Sequence, residues 1–173
     1  MSSAERYNVR EATPDDALNI AHVHVDAWHE TYRGLLPDSV LAGITYGERE
    51  RQWTAALARA EPCIFVAEAE GTIVGFAAAG PNRDPADQSF AAYPGELYAI
   101  YLLAAYQKQG IGRALFDRVN AALRQRALFP FLLWVLDRNP ACAFYERLEG
   151  QKVVTQPAEL RGAHIIEHGY AWS

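Results

Sequence analysis

Apolar and polar residues alternate along this chain in two rhythms. Tyr7 to Glu11 alternates as a short strand does, and Thr13-Pro14-Asp15-Asp16 reads as a helix start. Thr13 can cap, Pro14 suits the first helical position, and Asp16 sets an acid in the first turn. Leu18, Ala21, Val25 and Trp28 follow at helical spacing. Pro37 and Gly43 punctuate the next stretch, and a second helix is expected over Glu48 to Arg59. Cys63 to Glu68 and Thr72 to Ala78 are apolar runs joined by Ala69-Glu70-Gly71, a hairpin signal. Gly80 to Pro94 has little periodicity and holds Pro81, Pro85 and Pro94, so it reads as a loop. Glu96 to Leu103 is a strand rich in leucine and tyrosine. Ile111, Ala114, Leu115, Val119, Ala122 and Leu123 share one helical face. Phe131 to Leu136 is wholly apolar, as a strand covered on both faces would be. Pro140 to Leu148 predicts a helix ended by Gly150, and Gln151 to Val154 and His164 to Trp172 predict final strands.

This order, with strand-helix-strand units in the second half, predicts an α/β or α+β sheet with helices on its faces. A length of 173 residues predicts one domain, 1–173, able to bury a core without a metal or disulfide. The formal net charge of −5 excludes a nucleic-acid binder that works by bulk charge and argues weakly against an anionic membrane. Cys63 and Cys142 form no C-x-x-C pair and read as thiols of a reducing compartment. The N-terminus lacks an apolar signal region, and no apolar run approaches the ~20 residues a membrane span needs. The expected location is cytoplasmic.

The segment Gly95 to Phe116 carries the chemistry. A strand leads into a turn with Gln107, Gly110 and Gly112, and a helix starts at once. Glycines let the backbone approach a ligand, and the first helical amides have no internal acceptor. A phosphate or pyrophosphate suits such a nest. The dinucleotide fingerprint G-x-G-x-x-G fails because Leu115 stands third after Gly112. A Walker loop fails because Arg113 and Ala114 follow Gly112.

Gln107-x-x-Gly110-x-Gly112 resembles the Q/R-x-x-G-x-G/A signature of the GNAT superfamily of acetyl-CoA-dependent N-acetyltransferases. The preceding LYAIYLL resembles that family's fourth strand, and Asn139 to Leu148 resembles its second cofactor motif. Trp28 to Pro37, WHETYRGLLP, is similar to a stretch of bacterial members. Lys108, Glu149 and Ala104 depart from the pattern, the first two where glycine is frequent and the last where proline is. The resemblance implies a mixed, mostly antiparallel sheet of about seven strands with helices on both faces. It implies that Leu102 and Leu103 pair with the pantetheine arm and that Lys108, Gln109, Gly110, Ile111, Gly112 and Arg113 hold the pyrophosphate beside Gln107. It implies that Asn139 bonds the pantetheine chain and that Tyr145 lies near the thioester sulfur.

The implied reaction is attack by a primary amine, with two proton tasks. An alkyl amine of pKa ~10.4 is neutral in only about one molecule in 10³ at pH 7, which costs roughly 4–5 kcal/mol. Glu96 is the candidate base, matching the glutamate of histone-acetylating relatives, with other bases and water chains left open. Strand alternation places Glu96, Tyr98, Ile100 and Leu102 on one face. Tyr145 is the candidate donor to the departing thiolate. Trp28, Tyr32, Tyr98 and Tyr93 are candidate acceptor walls, and Asp84 or Asp87 candidate cation attractors. His22 and His24 point to different sides of a helix, and His164 and His168 stand too far apart on a strand to share a metal, so none is expected. The acceptor expected is a small cationic amine. The alternatives are a non-catalytic acyl-CoA-binding regulatory module and a peptide or protein N-acetyltransferase. The final strand, His164 to Trp172, suggests an edge for a homodimer.

Overall fold

A computed structural model describes residues 7–84 and 90–173. In chain order the elements are β1 (Asn8–Glu11), α1 (Ala17–Tyr32), α2 (Asp38–Ala42), α3 (Tyr46–Leu57), β2 (Cys63–Ala69), β3 (Thr72–Pro81) and β4 (Gly95–Leu102). There follow α4 (Ile111–Gln125), β5 (Phe131–Leu136), α5 (Ala141–Arg147), β6 (Gln151–Leu160) and β7 (Ala163–Trp172). The strands form one 7-stranded sheet in the order β1-β2-β3-β4-β5-β7-β6. All neighbours are antiparallel except β4 and β5, which run parallel.

The mixed sheet expected from the sequence is present, and its one parallel junction organises the molecule. β4 and β5 pair only at Gly95 with Phe131 and at Glu96 with Leu132. Beyond Glu96 that side of β4 has no strand partner, so a cleft opens towards Leu102. At the vertex a Cβ on Gly95 would lie 2.1 Å from the Leu128 carbonyl, so only glycine fits there. Helix α4 and helix α5 cover one face, where Ile111, Leu115, Val119 and Leu123 pack on Phe65, Ala77, Phe131 and Leu133. The apolar face predicted for α4 is the face it buries. Helix α1 and helix α3 cover the other face, where Ile20, Ala21 and Trp53 pack on Val66 and Phe76.

Some boundaries differ from the sequence reading. The short α2 is additional, and α3 begins earlier, with the Thr45 hydroxyl accepting the Glu48 N–H at 3.3 Å. β6 continues past Val154 to Leu160 and carries Pro157 opposite Ile166. A strand with one solvent edge tolerates proline, and cross-strand pairing rather than local pattern extends it. The final strand is not an edge: β7 lies between β5 and β6, and β6 is the outer strand. The hairpin folds the last segment inwards. None of the described helices is long and apolar enough to cross a membrane.

Candidate active site

The turn after β4 is built from backbone. Gly110 caps α4 at φ +87°, and Lys108 also takes a left-handed φ, +60°. That strained geometry accounts for the glycine frequent at position 108 in the resembling pattern; Lys108 costs about 1 kcal/mol there. The first turn of α4 contains no acid, and its leading amides lack helical acceptors. A Cβ on Gly112 would stand 3.3 Å from the Phe144 ring, so the helix start packs closely on α5. Lys108 and Arg113 are exposed beside it. Gln107 Nε2 donates to the Leu102 carbonyl at 3.1 Å, and Gln109 Nε2 to Ala105 at 3.2 Å, which fold the loop back on itself. Free amides and two cations, of which Arg113 also lies 3.8 Å from the exposed Asp117 carboxylate, suit the diphosphate of a coenzyme A. The Leu103 N–H is spent on Val74 at 3.0 Å, so the Leu102 carbonyl, with a second lone pair, is the freer backbone group.

Above the cleft the walls are side chains. Asn139 is buried, accepts the Ala141 N–H at 2.8 Å and donates through Nδ2 to the Tyr32 hydroxyl at 2.9 Å. One Asn139 N–H remains for another acceptor. Tyr32 is 3% exposed, and its phenol is pushed far above the usual value by burial first and by neighbouring Tyr101 and Tyr145. Tyr145 is 6% exposed, and among the described residues its hydroxyl has no hydrogen-bond partner. Burial, then Tyr101, raises its pKa strongly. Such a phenol stays protonated and acts as a donor. Tyr101, on β4, is pushed up to about 12 by burial. Trp28 is buried and tilts against Tyr32 at 4.6 Å, and its indole N–H points towards Tyr101 without a well-formed hydrogen bond.

The face predicted for Glu96 is corrected. A bulge in β4 pairs Ala78 with Ala99 but Ala79 with Leu97, so Tyr98 is an extra residue. Leu97, Ile100 and Leu102 pack in the α4 layer, whereas Ala99 and Tyr101 pack in the α1 layer. Glu96 pairs with Gly80 and Tyr98 lies over Gly80, so both belong to the α1 face, away from Ile100 and Leu102. The bulge carries Tyr101 into the wall of the cleft. Glu96 is 3% exposed and receives the Arg83 N–H at 3.0 Å, Nε at 3.2 Å and Nη2 at 2.6 Å. The Tyr98 hydroxyl donates to the Pro81 carbonyl, and burial, then Glu96, pushes it up to about 12. The structure therefore brings Trp28, Tyr32, Asn139 and Tyr145 together and holds Glu96 with Tyr98 lower on β4. Tyr93 packs with Phe90 and Trp134 instead, Asp84 is exposed, and Asp87 lies outside the described residues.

Comparison with known proteins now decides the family. The profile described as the Acetyltransferase (GNAT) family matches residues 19–150, which spans both cofactor turn and aromatic wall. The chain belongs to the GNAT acetyltransferase family. It is 38% identical over 165 residues to the N-acetyltransferase YuaI of Bacillus subtilis, covering 95% of this chain and 91% of that one. It is 32% identical to the aminoglycoside N(6')-acetyltransferase type 1 of Stenotrophomonas maltophilia, over 67% of each chain. The fold is that of the PaiA N-acetyltransferase of Thermoplasma acidophilum, solved with coenzyme A, at TM-score 0.68 and 16% identity, covering 97% of this chain and 98% of that one. The protein is a GNAT acyltransferase, and acetyl-CoA-dependent acetyl transfer is the activity its family membership carries.

Sequence reasoning missed three residues of this GNAT site. Tyr101 was hidden by the bulge. Gly80, opposite Glu96, leaves room for the Tyr98 ring at the bulge, while Tyr101 pairs with Phe76. Arg83 lay in a stretch read only as loop. Arg49, whose Nε is buried without a partner and whose pKa is lowered by burial, stands on α3 behind Tyr101 and His24.

Proposed function

We propose that this single-domain GNAT protein acetylates the primary amine of a small cationic molecule, in a ternary complex and by direct attack. The observation that supports a small acceptor is the tied-down tip of the β6–β7 hairpin on the acceptor side. The β6–β7 tip is tied down by Arg161, which bonds Glu48 at 2.8 and 3.0 Å and the Gly43 carbonyl at 3.0 Å. Leu160, Ala163 and Ile165 then pack on Val25, Leu36, Val40 and Ile44. The cavity left beside the tip, about 320 Å³ between Leu36, Leu136, Pro157 and Ile165, suits a small molecule better than a length of peptide. The acidic balance and buried Glu96 favour a cation. The Stenotrophomonas relative is named for an aminoglycoside, which is a small polycationic amine.

Acetyl-CoA supplies an activated acetyl thioester, so the C–N bond forms as the C–S bond breaks. The amides of residues 108–113 bind and orient its diphosphate, and Asn139 steadies the chain that leads to the thioester. The Tyr145 hydroxyl donates to the departing sulfur. Glu96, directly or through a water, takes the amine proton. Two free thiols, Cys63 and Cys142, suit a reducing cytoplasm, and pairing of two copies by sheet extension would use β6.

The test is thiol release from acetyl-CoA with polyamines, aminoglycosides, amino acids and peptides as acceptors. Release that depends on polyamine or aminoglycoside supports the proposal. Cofactor binding without acceptor-dependent release would make the protein a sensor, and release with peptides alone would make it a peptide acetyltransferase.

A further inference from the structure

Glu96 has a buried carboxylate whose hydrogen-bond donors, among the described residues, all belong to one residue. Arg83 gives it the backbone N–H, Nε and Nη2 at 3.0, 3.2 and 2.6 Å. The same guanidinium lies over the Tyr98 ring, 4.3 Å from its centroid. A buried carboxylate beside an aromatic face is the chemistry that recognises an organic cation. The Tyr98 ring is fixed for this role: its hydroxyl is tied to the Pro81 carbonyl, and Gly80 beneath it has no side chain to displace it. Glu61 adds a second negative charge near Tyr98. The Arg83 side chain is 62% exposed against 4% for that of Glu96, so the anion is built in and the cation is not. Its backbone is held in place: Asn82 N–H bonds Pro94 at 2.9 Å, and Asn82 Nδ2 bonds Tyr93 at 3.0 Å and Phe90 at 3.4 Å. The backbone at Arg83 is thus anchored while its guanidinium reaches solvent.

We propose that Arg83 is a tethered stand-in for the acceptor, occupying the cation site of Glu96 and Tyr98 until the acceptor's ammonium displaces it. This inference rests on the cationic-amine reading and adds a selection step to it. A neutral acceptor cannot replace a guanidinium on a buried carboxylate, whereas an ammonium can. Arg83 is then a specificity-determining residue that sets the threshold for entry, and its departure uncovers Glu96 Oε1 where the amine arrives.

The experiment compares wild type with Arg83→Ala and Arg83→Lys, using spermidine as acceptor and methylguanidinium as a probe. Removing the internal competitor should lower the spermidine KM in Arg83→Ala by about 5- to 10-fold, or roughly 1–1.4 kcal/mol, with acetyl-CoA affinity unchanged. Added methylguanidinium should raise that KM again, competitively, and should affect wild type far less. Arg83→Lys, which keeps the charge but loses the planar fork, should fall between them. Calorimetry of methylguanidinium on Arg83→Ala without acetyl-CoA should show a site that wild type lacks. That readout stands even if no amine is acetylated, in which case the proposed function fails and the cation site survives. Equal methylguanidinium binding to wild type and Arg83→Ala would overturn the inference, as would a spermidine KM that is unchanged or higher in Arg83→Ala.

Discussion

In the proposed site the two sides of the cleft are built by different means. On the cofactor side one contiguous turn, residues 107–113, supplies backbone amides whose geometry is set by Gly110 and the start of α4. On the acceptor side the groups are side chains drawn from α1, β4 and the loop after β3. Trp28 of α1 and Tyr101 of β4, far apart in the chain, bring their ring centroids to 6.4 Å. A backbone site tolerates changes of side chain so long as the torsions survive. A side-chain site changes its ligand with almost every substitution. The first therefore suits the proposed role of a cofactor site, and the second that of an acceptor site.

The sharpest way to break that contrast is to add charge to the backbone site. Gly112→Asp places a carboxylate among the amides and should weaken coenzyme A by about 100-fold, some 2.7 kcal/mol, measured by calorimetry. Gly112→Ala, whose Cβ must be accommodated by the Phe144 ring, should lose far less. Equal losses would mean that packing, not charge, governs the turn. Tyr145→Phe tests a side chain where the two sides meet: kcat should fall about 10- to 100-fold with acetyl-CoA affinity within about twofold. An unchanged rate for the chemical step would remove Tyr145 from the chemistry.

Acid should reach the acceptor side first. His24 is buried, accepts Trp53 Nε1–H at 3.1 Å and is pushed down to about 3 by burial and then by the Arg49 charge. It stays neutral in the fold, whereas the unfolded chain protonates it near pH ~6.5. Its stabilising contribution is whole above that value and is lost as the pH falls towards about 3. Chemical denaturation should show stability dropping by up to about 1.4 kcal/mol per pH unit in that window, with a shallower slope in His24→Gln. The smallest expected effect is at Lys108. Lys108→Gly relieves the φ of +60° and should raise stability by about 0.5–1 kcal/mol, while loss of the cation weakens coenzyme A a few-fold.

How far the sequence could be read follows the same division. Period and punctuation revealed the hairpin, α4 and β5, because each buries a face whose pattern is local. The cofactor turn was legible because its glycines and its glutamine stand within six residues, from Gln107 to Gly112. The face of Glu96 was not legible, since a one-residue bulge reverses every side chain beyond it. Arg83 and Tyr101 become functional candidates only when three segments meet. The inward turn of β7 depended on its pairing with β5 from Phe131–Trp172 to Leu136–Glu167, which no local pattern announces.

The central claim is that the acceptor side selects a small cation through its side chains. The most direct measurement is kcat/KM, at saturating acetyl-CoA, for a linear diamine and for the amino alcohol of the same length. The diamine should be preferred by about 10-fold or more, the worth of one well-placed charge pair of about 1.4 kcal/mol. Equal values, or a preference for the amino alcohol, would contradict it.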